Sequence, residues 1–159
     1  MPRILRTVRR ISLGCTLVDL AALLAHMLEL PNKLALPGPL WLAVQQNLYR
    51  GWGPILGPFE VAAVVSTWAL VPLARGRRGL LLTLTAAVLL TAVLAAFFAL
   101  VRPINVAVAA WTPQTLPADW PAYRLQWEVG HAVRALLCAL ALSALVRAAF
   151  GEAIGERLR

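Results

Sequence analysis

Acidic side chains are scarce in this sequence, with seven Asp and Glu among 159 residues against fifteen Lys and Arg. Charged residues of both signs make up 14%, well below the roughly 25% of a soluble domain, which argues against a disordered chain, a coiled coil and a water-solvated globule. Cysteine is limited to Cys15 and Cys138, far apart and inside apolar segments. No C-x-x-C occurs, which excludes the dithiol chemistry that a small four-helix membrane oxidoreductase would otherwise suggest. No internal repeat or low-complexity tract is visible. The basic stretch ahead of the first apolar run is not followed by an A-x-A cleavage pattern, so that run reads as a retained helix and not as a signal peptide.

What the chain has in excess is hydrocarbon. Hydrophobic residues make up 60% and the mean hydropathy is +0.74, more than a water-soluble core of this size calls for. The composition predicts one integral membrane domain over 1–159, with the lipid bilayer as its solvent and a bacterial inner (plasma) membrane as its expected location. Four runs are long enough to cross about 30 Å of hydrocarbon at 1.5 Å per residue, at 11–30, 55–74, 79–101 and 126–146. The expected fold is all-α, an antiparallel four-helix bundle. Ten basic residues flank the ends that carry the termini and the short Arg75–Arg78 connection, and four lie on the other side: Lys33, Arg50, Arg102 and Arg124. The positive-inside rule then places both termini in the cytoplasm and the two long loops outside. The net charge of +8 and the pI near 11.3 are thereby read as topology signals. No nucleic-acid partner is expected, and a homo-oligomer is left open.

Polar residues inside the spans are the informative ones. Asp19, His26, Glu29, Glu60, Glu128, His131 and Arg134 fall in or at the edges of the four runs. A charge near mid-bilayer costs about 2.5–3.5 kcal/mol, so such groups face the protein interior, find partners and mark function. With alternating helix directions, His26, Glu29, Glu60, Asn105, Glu128, His131 and Arg134 share one layer in the outer half of the membrane. Two pairs stand at helical spacing and in reversed order, H-x-x-E at 26 and 29, E-x-x-H at 128 and 131. On antiparallel helices that reversal puts the histidines at one depth and the glutamates about one turn shallower.

Three readings follow from this cluster. It is a structural ion-pair network with Arg134 balancing a glutamate, an acid/base or substrate site, or a divalent iron or zinc centre held by His26, Glu29, Glu60, Glu128 and His131. The metal reading departs from soluble di-iron bundles, because Asn105 stands where a second lone carboxylate belongs. Asp19 shares the His26 face about two turns deeper and extends a proton path. Most of the six tryptophans read as a headgroup belt, with an aromatic substrate pocket as the alternative.

Asn105 in Arg102-Pro-Ile-Asn, then Trp111, Asp119-Trp120, Arg124 and the run Trp127-Glu-Val-Gly-His-Ala-Val-Arg134 together resemble the DUF1772, or anthrone oxygenase-like, family of four-helix membrane proteins. The resemblance is detailed over the C-terminal third. It implies oxygenation of an electron-rich polycyclic phenol to a quinone without an organic cofactor, with Asn105, Trp127 and Arg134 at the matching positions. The expected function is a membrane oxidoreductase acting on a lipophilic, aromatic small molecule. Its rivals are a proton- or metal-coupled transporter and a non-catalytic accessory subunit.

Overall fold

The structure is a computed structural model that describes residues 3–77 and 79–157, the last six through their backbone. Arg78 and Arg159, and the side chains of Glu152, Glu156 and Arg157, all used in the sequence reading, lie outside the described residues. Every described element is helical: α1 (Arg3–Ala35), α2 (Gly38–Asn47), α3 (Trp52–Leu73), α4 (Leu80–Ala96), a π-helical turn (Phe97–Val101), α5 (Arg102–Ala110) and α6 (Trp120–Arg157). The segment Leu80–Ala110 runs through the π-turn as one span, and with Arg3–Ala35, Trp52–Leu73 and Trp120–Gly151 it gives four helices long and apolar enough to cross a membrane.

The helices depart from the expected spans at most of their ends, and at the end of the first and third spans the reason is proline. Hydropathy ended the first run at Pro31 and the third near Pro103, yet Pro31 lies inside α1 and Pro103 in the first turn of α5. A proline removes its own N–H bond and crowds the carbonyl four residues back, so the helix kinks or widens there yet continues where packing holds it. Ahead of Pro103 the backbone widens into the π-turn, a device that re-satisfies displaced carbonyls. Within that turn Leu100 O accepts from Gln126 Nε2 at 3.2 Å.

Contacts of α1 with α3 and α6, and of α4 with α3 and α6, close a ring of four long helices. Fully buried alanines, Ala63, Ala86, Ala87 and Ala141, let the backbones approach closely, as interfaces between apolar helices require. A second apolar cluster of Trp41, Leu42, Val101, Ile104, Val108 and Trp127 sits under α2, an element that hydropathy alone did not announce. Gln46 of α2 donates from Nε2 to Val108 O and Trp111 O, both at 2.8 Å, which ties α2 to the end of α5. Arg124 Nη1 donates to Lys33 O and Leu36 O at 3.2 and 2.9 Å. It therefore serves two carbonyls at the end of α1, where helical donors run out and Lys33 O otherwise accepts only a long 3.3 Å bond from Leu36 N.

The π-turn is held by a glycine. A Cβ on Gly130 would stand 2.8 Å from Val101 Cγ2 and 3.1 Å from Leu100 Cβ, so Gly130→Val forces α6 away from the π-turn. We expect that variant to lose about 1–3 kcal/mol, the usual cost of overpacking, read as a lower melting temperature in detergent. A melt equal to the parent's would contradict this packing.

Candidate functional site

Helical spacing builds the site. His26, Glu29 and Lys33 stand at i, i+3 and i+7 near the end of α1, on one face. Glu128 and His131 repeat the i, i+3 step near the start of α6. The imidazoles of His26 and His131 meet, with ring centroids 4.3 Å apart. The two glutamates flank one ammonium: Lys33 Nζ is 3.0 Å from Glu128 Oε2 and 3.9 Å from Glu29 Oε2. By sequence Lys33 counts as an outer-loop charge. It is buried, because α1 continues past Pro31 and turns it inward against Glu128 and the rings of Trp127 and Tyr49, 4.7 and 5.6 Å from Nζ.

His131 Nδ1 lies 2.9 Å from Trp127 O. A carbonyl only accepts, so Nδ1 carries the proton and Nε2 of the neutral ring keeps its lone pair. His26 stands inside an aromatic wall, with the rings of Tyr49, Trp52 and Trp127 each about 5 Å from its own. The Tyr49 hydroxyl donates to Glu29 Oε2. Burial, and then that carboxylate, hold the phenol above its ordinary value, so Tyr49 stays a proton donor.

One turn deeper, Arg134 Nη2 donates to Glu60 Oε2 at 2.8 Å across α6 and α3. The guanidinium lies over Phe97 of the π-turn, 5.1 Å from the ring centre. Asp19 is buried below this pair, with Cys138 Sγ 3.7 Å from its Oδ2. Asn105 stands on α5 and accepts at Oδ1 from Trp127 Nε1 at 2.8 Å, which fixes the amide and presents its NH2 end.

These groups surround a chamber of about 950 Å³ whose walls include Asp19, His26, Gln45, Glu60, Asn105, His131 and Arg134, with Tyr49, Trp52, Phe97, Phe98, Trp111 and Trp127. Of the expected site residues, His26, Glu60, Asn105, His131 and Arg134 come together there. Glu29 and Glu128 do not line it; they form the layer behind, around Lys33. Four wall atoms are buried without a hydrogen-bond partner: His26 Nδ1, Gln45 Nε2, Glu60 Oε1 and Arg134 Nε. A buried polar atom without a partner costs free energy, so the residues lining the chamber hold polar groups that the fold alone leaves unsatisfied.

The expected metal ligands were tested on their donor set. Among the described residues no group of three or more His, Cys, Asp and Glu side chains is placed to hold an ion. Glu60 is engaged by Arg134 and Glu128 by Lys33, and a dication beside the imidazoles would meet both of those fixed cations. Two of the five expected ligands are thus already paired with a cation. The headgroup belt needs correction, because Trp41 and Trp127 are 0% and 3% exposed, and Trp41 packs against Trp120 at 5.7 Å.

Sequence reasoning missed Lys33, Gln45, Tyr49 and Trp52 as site residues. The seven-residue step from His26 to Lys33 was the signal available for the first. The aromatic pair flanking Arg50-Gly51 was the signal for the last two. Comparison with protein-family models, curated proteins and solved structures gives no match.

Proposed function

We propose that the chain is a membrane oxidoreductase, oxygenase-like, that oxidises a lipophilic aromatic molecule carrying an acidic C–H or phenolic O–H. In this reading the helices alternate in direction, both termini are cytoplasmic, and the chamber lies in the outer half of a bacterial inner membrane. The observation that carries the chemistry is the imidazole pair with one ring's tautomer fixed, inside an aromatic chamber that also holds a guanidinium.

His131 Nε2 is the general base, within a wall that also carries the Arg134 guanidinium and the Asn105 amide for a developing oxyanion. Proton loss leaves an electron pair on carbon, and dioxygen is the oxidant. A C–O bond forms, reprotonation gives a hydroperoxide, and loss of the second C–H proton expels water. One methylene and one dioxygen thus become one ketone and one water. One oxygen atom stays on carbon and the other leaves with both hydrogens, so no organic cofactor is needed. This follows the family resemblance on Asn105, Trp127 and Arg134.

The chamber and the unpartnered polar atoms of its lining residues favour a site over a purely structural ion-pair network. A transporter would need a polar route onward, yet below Asp19 the hydroxyls of Thr16 and Thr67 bond back to Ser12 O and Ala63 O at 2.7 and 2.6 Å. An iron or zinc ion is the second reading, favoured by the contact between the two imidazoles alone. Elemental analysis separates it: stoichiometric metal in the parent, lost in both His26→Ala and His131→Ala, would replace the metal-free mechanism. The metal-free mechanism predicts none in either sample.

The direct test is oxygen uptake by the protein in lipid vesicles with anthrone as probe. We expect one O2 consumed per anthrone converted, well above protein-free vesicles. Uptake equal to the protein-free rate overturns the proposal.

A further inference from the structure

The chamber has a side opening. Low on the ring, α3 packs along α4, but farther up it makes no extended contact with the π-turn or α5. By contrast α1 and α3 stay packed together, and α6 covers the other side of the π-turn. Chamber walls facing this gap are also surface residues: Val61 on α3 is 48% exposed, and Phe98 on the π-turn is 55% exposed. Asn105 on α5 is exposed as well, although it belongs to the same walls. Gly57 lines the α3 side, where an added Cβ would meet nothing within 4 Å.

Depth gives the gap its meaning. At 1.5 Å per residue, Gly57 and Val61 lie about 8 and 14 Å below the start of α3, well inside a span of 22 residues. An opening at that depth faces lipid chains and not water. An exposed asparagine is costly against hydrocarbon, so its place at this opening fits a route that polar groups use.

We infer that the gap between α3 and the π-turn is a lateral portal, and that the substrate is an amphipathic phenol or enol. Its aromatic head occupies the chamber and its hydrocarbon chain stays in the portal among the lipid tails. Gly57, Val61 and Phe98 set the portal's width, and the Asn105 amide at its edge meets the head as it passes. This deepens the oxidoreductase reading and rests on it for the chemical nature of the head.

The test reads binding and not turnover, so that it is separable from the chemistry. The probes are a naphthol carrying a dodecyl chain and unsubstituted naphthol, added to the full chain in phosphatidylcholine vesicles. Quenching of the chamber tryptophans reports occupancy. Gly57→Phe narrows the portal from a position with open space around it, so the fold tolerates it. Gly14→Phe, also with nothing within 4 Å and outside the chamber, is the control for a bulky side chain on the lipid face.

We expect Gly57→Phe to weaken binding of the tailed probe at least tenfold, with Gly14→Phe at parent affinity and unsubstituted naphthol bound equally by all three. Equal binding of the tailed probe by parent and Gly57→Phe overturns the portal while leaving the oxygen-uptake proposal standing. Failure of the parent to bind the tailed probe also overturns the portal, while oxygen uptake with anthrone decides the oxidoreductase reading separately. Equal weakening by Gly14→Phe also overturns the portal, since the effect would then belong to the membrane surface.

Discussion

Lys33→Met lowers the unfolding free energy by about 3–5 kcal/mol, the cost of stranding a buried charge without its partner. Only 4% of the Lys33 side chain and 2% of that of Glu128 is exposed, and Nζ is the cation within 3.0 Å of the Glu128 carboxylate. Glu29 also loses its ammonium at 3.9 Å, but its side chain is 44% exposed and the Tyr49 hydroxyl still donates to it. Most of the loss therefore belongs to Glu128. Adding Glu128→Gln to Lys33→Met should recover more than half of it, because a neutral amide does not have to be neutralised by a neighbour. Denaturant or thermal unfolding in one detergent measures all three variants. A single-variant loss under about 1 kcal/mol, the size expected of an exposed pair, would show that the pair is solvated.

The second large effect is on turnover. His131→Ala should lower kcat/KM for anthrone oxidation by about 10²–10⁴, the range that a positioned general base supplies. His26→Ala should cost less, since His26 Nδ1 has no hydrogen-bond partner while the tautomer of His131 is set by Trp127 O. If His26→Ala is the more damaging change, the roles of the two rings are exchanged. If neither variant falls below the parent by tenfold, the imidazoles are not the base. Circular dichroism and melting of the same samples tell a lost base from a lost fold.

How far the sequence could be read differs by feature. The histidine contact and the shared depth of Glu29 and Glu128 follow from two i, i+3 pairs in reversed order, because helical periodicity is a local property that a sequence carries directly. The four long helices follow from apolar run length. Two of their ends do not, because Pro31 and Pro103 read as stops in sequence while both lie within helix. That error moved Lys33 from the site to a loop and hid the α5 turn that carries Asn105. The burial of Trp41 against α5 and α6 depends on α2, whose docking rests on Gln46 reaching carbonyls more than sixty residues away. No local pattern encodes such a pairing. The metal expectation meets a related limit: residue types named the donors, but the partners that engage them, Arg134 for Glu60 and Lys33 for Glu128, emerge only in three dimensions.

The most direct measurement is cadmium binding by a chain carrying His26→Cys and His131→Cys in a background without Cys15 and Cys138. Two thiolates projecting from α1 and α6 into one space bridge a single cadmium ion, visible as its thiolate charge-transfer absorption. The account predicts one tightly bound ion per chain in the double variant and at least a hundredfold weaker binding in either single one. Equal, weak binding by all three would mean that these two helices do not bring their side chains to a common chamber.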